Sequence, residues 1–197
     1  MKHFKVYGEE RSATTYLERM LERNTRLKII SNRTKPLDKW KHGFPHWWGP
    51  DTLHVFMMRD IYQWLRSVAH VDGGRFNGVD KPFGNVTGGK HHDHWHGWKH
   101  PVQCRTAKYR AYLAFAANHR CVILKTEYLK QNPEVIGEFA PCFQFKDITI
   151  HTRTGLPGRD DPTRPPLTDA QRAWIDSVKD PKIEGYVDNL TIERHGI

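Results

Sequence analysis

FKVYGEERSATTYLERML, residues Phe4–Leu21, joins a short strand, a tight polar loop and an amphipathic helix. Phe4, Val6 and Tyr7 form a brief β-type run, Gly8 breaks it, and Tyr16, Leu17, Met20 and Leu21 recur at helical spacing. A loop that points at a helix N-terminus is an anion cradle, because free backbone N–H groups and the positive end of the helix dipole favour negative charge there. Ser12, Thr14 and Thr15 add hydroxyl donors, and Arg11 adds a permanent positive charge. Laid on G-x-x-x-x-G-K-[ST], the stretch offers Gly8, Ala13, Thr14 and Thr15, so it lacks the second glycine and the lysine of an NTP-hydrolysing P-loop. That argues against Mg-ATP or Mg-GTP chemistry. The plainer reading, a helix N-terminus capped by Ser or Thr, carries equal weight on this segment alone.

Strand and helix patterns alternate along the rest of the chain. Leu27–Ile30 is a second strand candidate and Thr52–Met58 (TLHVFMM) a stronger third one. Asp60 caps a helix to about His70, with Ile61, Trp64, Leu65 and Val68 on one face. Val71–Pro101 is rich in Gly and His and has little periodicity, which predicts a long loop or lid. A helix over Val102–Asn118 and a buried strand over Cys121–Leu124 follow, then a short helix opening at Pro133 and a last strand over Asp147–Ile150. Residues 151–166 read as a loop, and Thr168 with Gln171 is a capping box for a helix containing Ala170, Trp174 and Ile175. The pattern predicts one α/β domain with a central, mainly parallel sheet of four or five strands flanked by helices, and ligands at the carboxyl ends of its strands.

At 197 residues the chain suits one domain. No apolar run approaches the length needed to cross a bilayer. The start, MKHFKVYGEERS, has no apolar stretch followed by a cleavage site, and Cys104, Cys121 and Cys142 form no C-x-x-C pair, so a reduced, cytoplasmic setting is expected. The net charge of +9 implies affinity for anions. Its basic residues are spread along the chain without an RNP, zinc-finger or basic-zipper pattern, which leaves nucleic-acid binding as a background reading.

A second anion site follows the third strand. Arg59-Asp60 stands at its end and Ser67 lies eight residues after Arg59, about two helical turns on, so the two converge on one phosphate if the helix packs back beside the strand. Gly8 with Arg11-Ser12-Ala13-Thr14-Thr15 resembles the 5′-phosphosulfate loop, and Arg59-Asp60-x6-Ser67 the 3′-phosphate motif, of sulfotransferases that use 3′-phosphoadenosine-5′-phosphosulfate (PAPS). Leu124-Lys125-Thr126-Glu127-Tyr128-Leu129 resembles the family's strand ending in a Tyr-Glu-Asp-Leu type segment, and Arg153-Thr154-Gly155-x2-Gly158 its late Arg-Lys-Gly-x-x-Gly loop. The four matches come in the family's order and span most of the chain. Ala13 stands where the family's loop has a glycine, Arg11 where many members have lysine, and Thr126 where a tyrosine often contacts the adenine, leaving Tyr128 or a tryptophan for that contact.

The resemblance implies a P-loop-like sulfotransferase fold and transfer of a sulfuryl group from PAPS to a hydroxyl or amine acceptor, with the bisphosphate PAP as product. Arg11, Ser12, Ala13, Thr14 and Thr15 would hold the phosphosulfate, Arg59, Ser67, Arg153 and Gly155 the rest of the nucleotide, and Arg11 would also stabilise the leaving oxygen. Arginine stays protonated, so it acts as a clamp and not as an acid. Trp40-Lys41-His42-Gly43-Phe44-Pro45 resembles the family's Lys-x-His-x-Pro segment with the histidine one place early. It makes His42 the first candidate for the general base and Lys41 the residue facing the transferring group, with His46, Asp38 and Glu10 as alternative bases.

The run from Lys90 to His100 offers donors for Zn or Ni, but its spacing matches no recognised structural site, and no metal is expected. It reads as part of a lid in which Trp95 and Trp98 stack on the acceptor. Trp47 and Trp48 are candidates for the pocket border, Trp64 and Trp174 for the core, and Lys108 and Arg110 for a solvated helix face. Two rivals remain: a P-loop-class nucleotide enzyme such as a kinase, and a basic binding module for nucleic acid or acidic glycans.

Overall fold

Valine, isoleucine, leucine, methionine and phenylalanine fill both faces of the inner strands, as in a parallel sheet covered on each side by helices. The computed structural model describes residues 1–9, 11–30, 41–71, 98, 100–146 and 165–197. Its sheet has five strands, β1 (His3–Gly8), β2 (Lys28–Ile29), β3 (Thr52–Met58), β4 (Cys121–Lys125) and β5 (Ile192–His195), in the order β2-β1-β3-β4-β5. The first four run parallel and β5 is antiparallel to β4. Gly8 pairs with Met57 and Met58 with Lys125, so the carboxyl ends of β1, β3 and β4 lie side by side.

Alternation along the strands sorts the core into two layers. Phe4, Val6, Leu53, Val55, Met57, Val122 and Leu124 meet α1 (Thr14–Asn24) through Leu17, Met20 and Leu21. The same layer takes Leu129 of a short helix, Thr126–Gln131, and the 3-10 turn Pro133–Glu138. Tyr7, Phe56, Met58, Cys121 and Ile123 face the other way, onto Tyr109, Tyr112 and Phe115 of a long helix, Pro101–Ala116, and onto Ile183 and Val187 of a later one, Pro181–Asn189. A third cluster joins the helix Ile61–Val71 to the helix Asp169–Val178 around Trp64 and Ile175. In chain order the helices are α2 (Ile61–Val71), α3 (Pro101–Ala116), α4 (Thr126–Gln131), α5 (Asp169–Val178) and α6 (Pro181–Asn189).

The α/β class with a mainly parallel sheet is as the sequence pattern predicts, and Thr52–Met58 and the Thr168–Gln171 capping box recur residue for residue. Sequence periodicity misses α6 and β5, because Ile192–His195 has no apolar alternation and becomes a strand through its pairing with β4. The strand expected over Asp147–Ile150 lies outside the described residues. Among those residues no helix is long and apolar enough to cross a membrane.

Candidate functional site

The loop after β1 is built on close approach and unusual backbone. A Cβ on Gly8 would lie 2.8 Å from Thr14 Cγ2 and 2.9 Å from Met57 Cβ, so only glycine lets the loop cross this near β3. Arg11 (φ 66°) and Ala13 (φ 58°) are both left-handed, at a cost of roughly 1–2 kcal/mol each for residues with a Cβ. Ala13 is the N-cap of α1 and no side chain caps that helix, so the reading of an ordinary Ser or Thr cap is corrected. Ser12 Oγ is buried and has no hydrogen-bond partner among the described residues. Two left-handed residues, Arg11 and Ala13, ahead of a helix with no side-chain cap are the kind of backbone that accepts an anion.

Three elements hold this loop. Arg59 Nη1 donates to the Arg11 carbonyl at 2.6 Å, and the Thr126 hydroxyl donates to the Ser12 carbonyl at 3.1 Å. Because a trans peptide directs its N–H opposite to its C=O, the second clamp turns the Ala13 N–H away from Thr126. Glu9, which follows Gly8, has its carboxylate 3.0 Å from Lys108 Nζ on α3, and its carbonyl accepts from Ser12 N–H at 3.1 Å.

The Lys41-His42 segment docks on the same glycine. Gly8 N–H donates to the Lys41 carbonyl at 2.9 Å, and His42 Nδ1–H donates to the Gly8 carbonyl at 2.7 Å. A carbonyl only accepts, so Nδ1 carries the proton and Nε2 is the basic nitrogen of the neutral ring. His42 is 7% exposed, and burial pushes its pKa down to about 3, with the cations of Lys41 and Lys108 adding to that and the Gly8 carbonyl opposing it. Lys41 Nζ donates to Thr15 Oγ1 at 2.8 Å and to Glu18 Oε2 at 2.9 Å. The ammonium that the loop itself lacks thus reaches the first turn of α1 from another segment. His46 is tied one residue further back, its N–H donating to the Tyr7 hydroxyl at 3.1 Å. The other two base candidates, Glu10 and Asp38, lie outside the described residues, as do Arg153 and Gly155.

Arg59 and Ser67 are both buried, and Arg59 at 3% exposure turns its guanidinium to Glu127 Oε1 (3.1 Å) as well as to the loop. Beside this pair, at the carboxyl ends of β3 and β4, lies an open groove of about 430 Å³ lined by Asp60, Gln63, Arg66, Lys125, Glu127 and Arg172 among others. Helix α2 contributes Tyr62, Gln63 and Arg66 to the groove wall, and not Ser67. Gln63 Oε1 is buried there without a hydrogen-bond partner among the described residues.

Helix α3 differs most from the sequence reading. Lys108 is 1% exposed in an ion pair with Glu9, which is 0% exposed, so it is not on a solvated face; Arg110 is exposed and pairs with Asp180. Arg105, also buried, holds Glu184 of α6 with both guanidinium nitrogens and donates to the Arg59 carbonyl at 2.6 Å. Tyr109 accepts the Arg59 N–H at 2.9 Å. Cys104, Arg105, Lys108, Tyr109 and Tyr112 recur at helical spacing, which is the one signal in the sequence that this polar face points inward.

Among the aromatics, Trp48 Nε1 donates to the Tyr7 hydroxyl at 2.8 Å, and Trp47 stacks on His54 and His119. His54 pairs in register with Lys5, three residues before Gly8, so Trp47 stands about 10 Å below the loop and away from it. Trp64 is core as expected, while Trp174 is half-buried against the α2–α5 cluster. Tyr128 packs on the core layer beneath α1. Of the histidine run, His100 caps α3 by accepting from Gln103 N–H, and Trp98 stacks on Phe44 with ring centres 6.5 Å apart; the remainder, with Trp95, lies outside the described residues. Comparison of the chain with protein families, with curated proteins and with solved structures finds no match.

Proposed function

We propose that this protein is a sulfotransferase of the P-loop-like class, moving a sulfuryl group from PAPS to a hydroxyl or amine acceptor. The observation that carries the reading is the start of α1: an uncapped helix entered through left-handed Arg11 and Ala13, with Lys41 and His42 docked on the same loop. Left-handed backbone is what glycine adopts freely, so Ala13 takes a conformation open to the glycine that the resemblance expects at this place.

The residues present fit a phosphosulfate. Loop N–H groups, Ser12 Oγ and the first turn of α1 supply donors without a competing carboxylate cap, and Arg11 and Lys41 supply positive charge. PAPS contributes an activated sulfuryl group and a nucleotide leaving group. In this reading Arg11 would stabilise charge on the leaving oxygen and Lys41 the transferring group, while His42, whose Nδ1–H is held by the Gly8 carbonyl, would offer Nε2 to the acceptor's proton. The nucleoside end belongs with Arg59, Ser67, Arg153 and Gly155 in this reading, and the groove beside Arg59 brings Arg66, Lys125 and Arg172 near it.

Thermal shift with adenosine 3′,5′-bisphosphate, Mg-ATP and a short DNA duplex tests it, since a ligand raises stability only where the folded state binds it. A shift selective for the bisphosphate, together with release of the bisphosphate from PAPS in the presence of an acceptor panel, is the expected result. Equal response to ATP and the bisphosphate would point to the kinase reading, and response to DNA alone with steep salt dependence to the basic module.

A further inference from the structure

Buried peptide groups just past the end of a strand need partners other than the ladder. Strand β3 ends at Met58, paired with Lys125, and Arg59 is the next residue. Side chains of α3 take both of its main-chain groups: the Arg59 N–H donates to the Tyr109 hydroxyl at 2.9 Å, and the Arg59 carbonyl accepts from Arg105 Nη2 at 2.6 Å. Tying the planar peptide on each side of one Cα sets the two soft dihedrals between them. From this anchored backbone the Arg59 guanidinium reaches two other elements, at the Arg11 carbonyl and at Glu127 Oε1.

The anchor is not a cheap way to fill space. Arg105 and Tyr109 are fully buried, and a buried arginine–carboxylate pair is weak evidence of stability, because apolar side chains of the same volume often serve as well. Glu184 of α6 accepts from Arg105 Nη1 and Nη2, so α6 orients the guanidinium whose Nη2 also reaches Arg59. A planar fork makes these contacts at once, and a lysine ammonium does not reproduce them. The same guanidinium lies 4.3 Å from the centre of the Tyr109 ring, which joins the two anchors to each other. Helix α3 otherwise packs on the sheet through Tyr112 and Phe115, yet it gives two polar side chains to this one residue.

We propose that Tyr109 and Arg105 are positioning residues for Arg59: they hold its backbone so that the guanidinium bridges the loop after β1 and Glu127, and through it they set the preference for a ligand that carries a 3′-phosphate. The ligand preference rests on the sulfotransfer reading, in which Arg59 takes that phosphate; the hold on Arg59 does not.

Solvent exchange of the Arg59 Nε–H, read by NMR on the full chain with Arg59→Met assigning the signal, tests the hold without any ligand. Tyr109→Phe keeps the ring and removes the acceptor, and the Nε–H is expected to exchange about fivefold faster or more, the scale of one hydrogen bond. Tyr112→Phe removes a buried hydroxyl from the same helix, one that donates to the Gly43 carbonyl, and is expected to leave the signal as in the parent. An unchanged rate in Tyr109→Phe, or an equal acceleration in Tyr112→Phe, overturns the proposal. Arg105→Lys keeps the charge without the fork and is expected to speed the exchange as well; an unchanged rate there also overturns it. Should Arg105→Lys fail to fold, Arg105→Met/Glu184→Met leaves no orphan charge and is expected to show the same acceleration, while loss of fold in both makes Arg105 structural and overturns the proposal.

Calorimetry with adenosine 3′,5′-bisphosphate and adenosine 5′-phosphate tests the preference. In Tyr109→Phe the bisphosphate is expected to bind about fivefold more weakly and the monophosphate as in the parent, so that the preference falls toward that of Arg59→Met. Equal weakening of both nucleotides is what a merely structural tyrosine gives, and it overturns the proposed preference. A parent protein that binds neither nucleotide overturns the sulfotransfer reading and the preference with it, and the exchange result still stands, so the two failures are distinguishable.

Discussion

Arg59 Nη1 donates to the main-chain carbonyl of Arg11 at 2.6 Å, so the end of β3 sets the shape of the loop that follows β1. The same guanidinium donates to Glu127, which lines the neighbouring groove. The residue proposed as a phosphate ligand is thus the clamp between two parts of the candidate site, and in that proposal the ligand response and the loop depend on it together.

Arg59→Met removes the clamp and takes the guanidinium donor from the Arg11 carbonyl and from Glu127 Oε1. The expected loss is about 2–3 kcal/mol in urea unfolding, the scale of hydrogen bonds to a charged group. The thermal shift given by adenosine 3′,5′-bisphosphate should fall with it. Full stability with a full ligand response would remove Arg59 from both roles.

Gly8→Ala forces backbone apart, because the added methyl meets Met57 O at 3.0 Å as well as the two closer carbon atoms. Overpacking of this kind costs about 1–3 kcal/mol. Since the loop must move to relieve it, bisphosphate affinity should drop even at temperatures where the variant is fully folded, as read by calorimetry.

Ala13→Gly is expected to stabilise the protein. Relief of a left-handed Cβ is worth about 1–2 kcal/mol and the added freedom of the unfolded glycine takes back about 0.5–1, leaving a net gain of about 0–1.5 kcal/mol. Ala13→Val should lose stability by more than that, and a destabilised Ala13→Gly would show that the position is not held left-handed.

Acid should weaken the fold through histidine. Burial holds His42 near a pKa of about 3 and His54 near about 4, whereas each titrates near 6.5 when unfolded. Between these limits the unfolded chain binds more protons than the folded one, so stability rises with pH and is lost as pH falls below 6.5. With both groups contributing, the slope approaches about 2.7 kcal/mol per pH unit between pH 4 and 6 as an upper value. Urea midpoints at half-unit steps should show the decline, and His42→Gln should reduce its steepness by about half.

Much of this architecture is legible in residue pattern because the pattern is local. The apolar run of β3, the punctuation at Gly8, the Asp60 and Thr168 caps and the helical spacing of Leu17, Met20 and Leu21 each depend on neighbours within one or two turns. The uncapped start of α1 is half legible: sequence shows alanine before Thr14, and the backbone angle shows that no side chain stands in for the cap.

Apolar period and turn chemistry are written into consecutive residues, and they are enough for an α/β chain with a cationic loop between its first strand and first helix. Tertiary structure alone decided which charges are withdrawn from water. Lys108 reads like Arg110 in the sequence, two residues apart on one helix, yet one is sealed against Glu9 and the other lies in solvent beside Asp180. The same holds for Lys41, which lies 26 residues from Thr15 along the chain and 2.8 Å from its hydroxyl in space. A side chain's charge is a property of its residue. What that charge costs and what it acts on depend on burial and on partners that other elements bring to it.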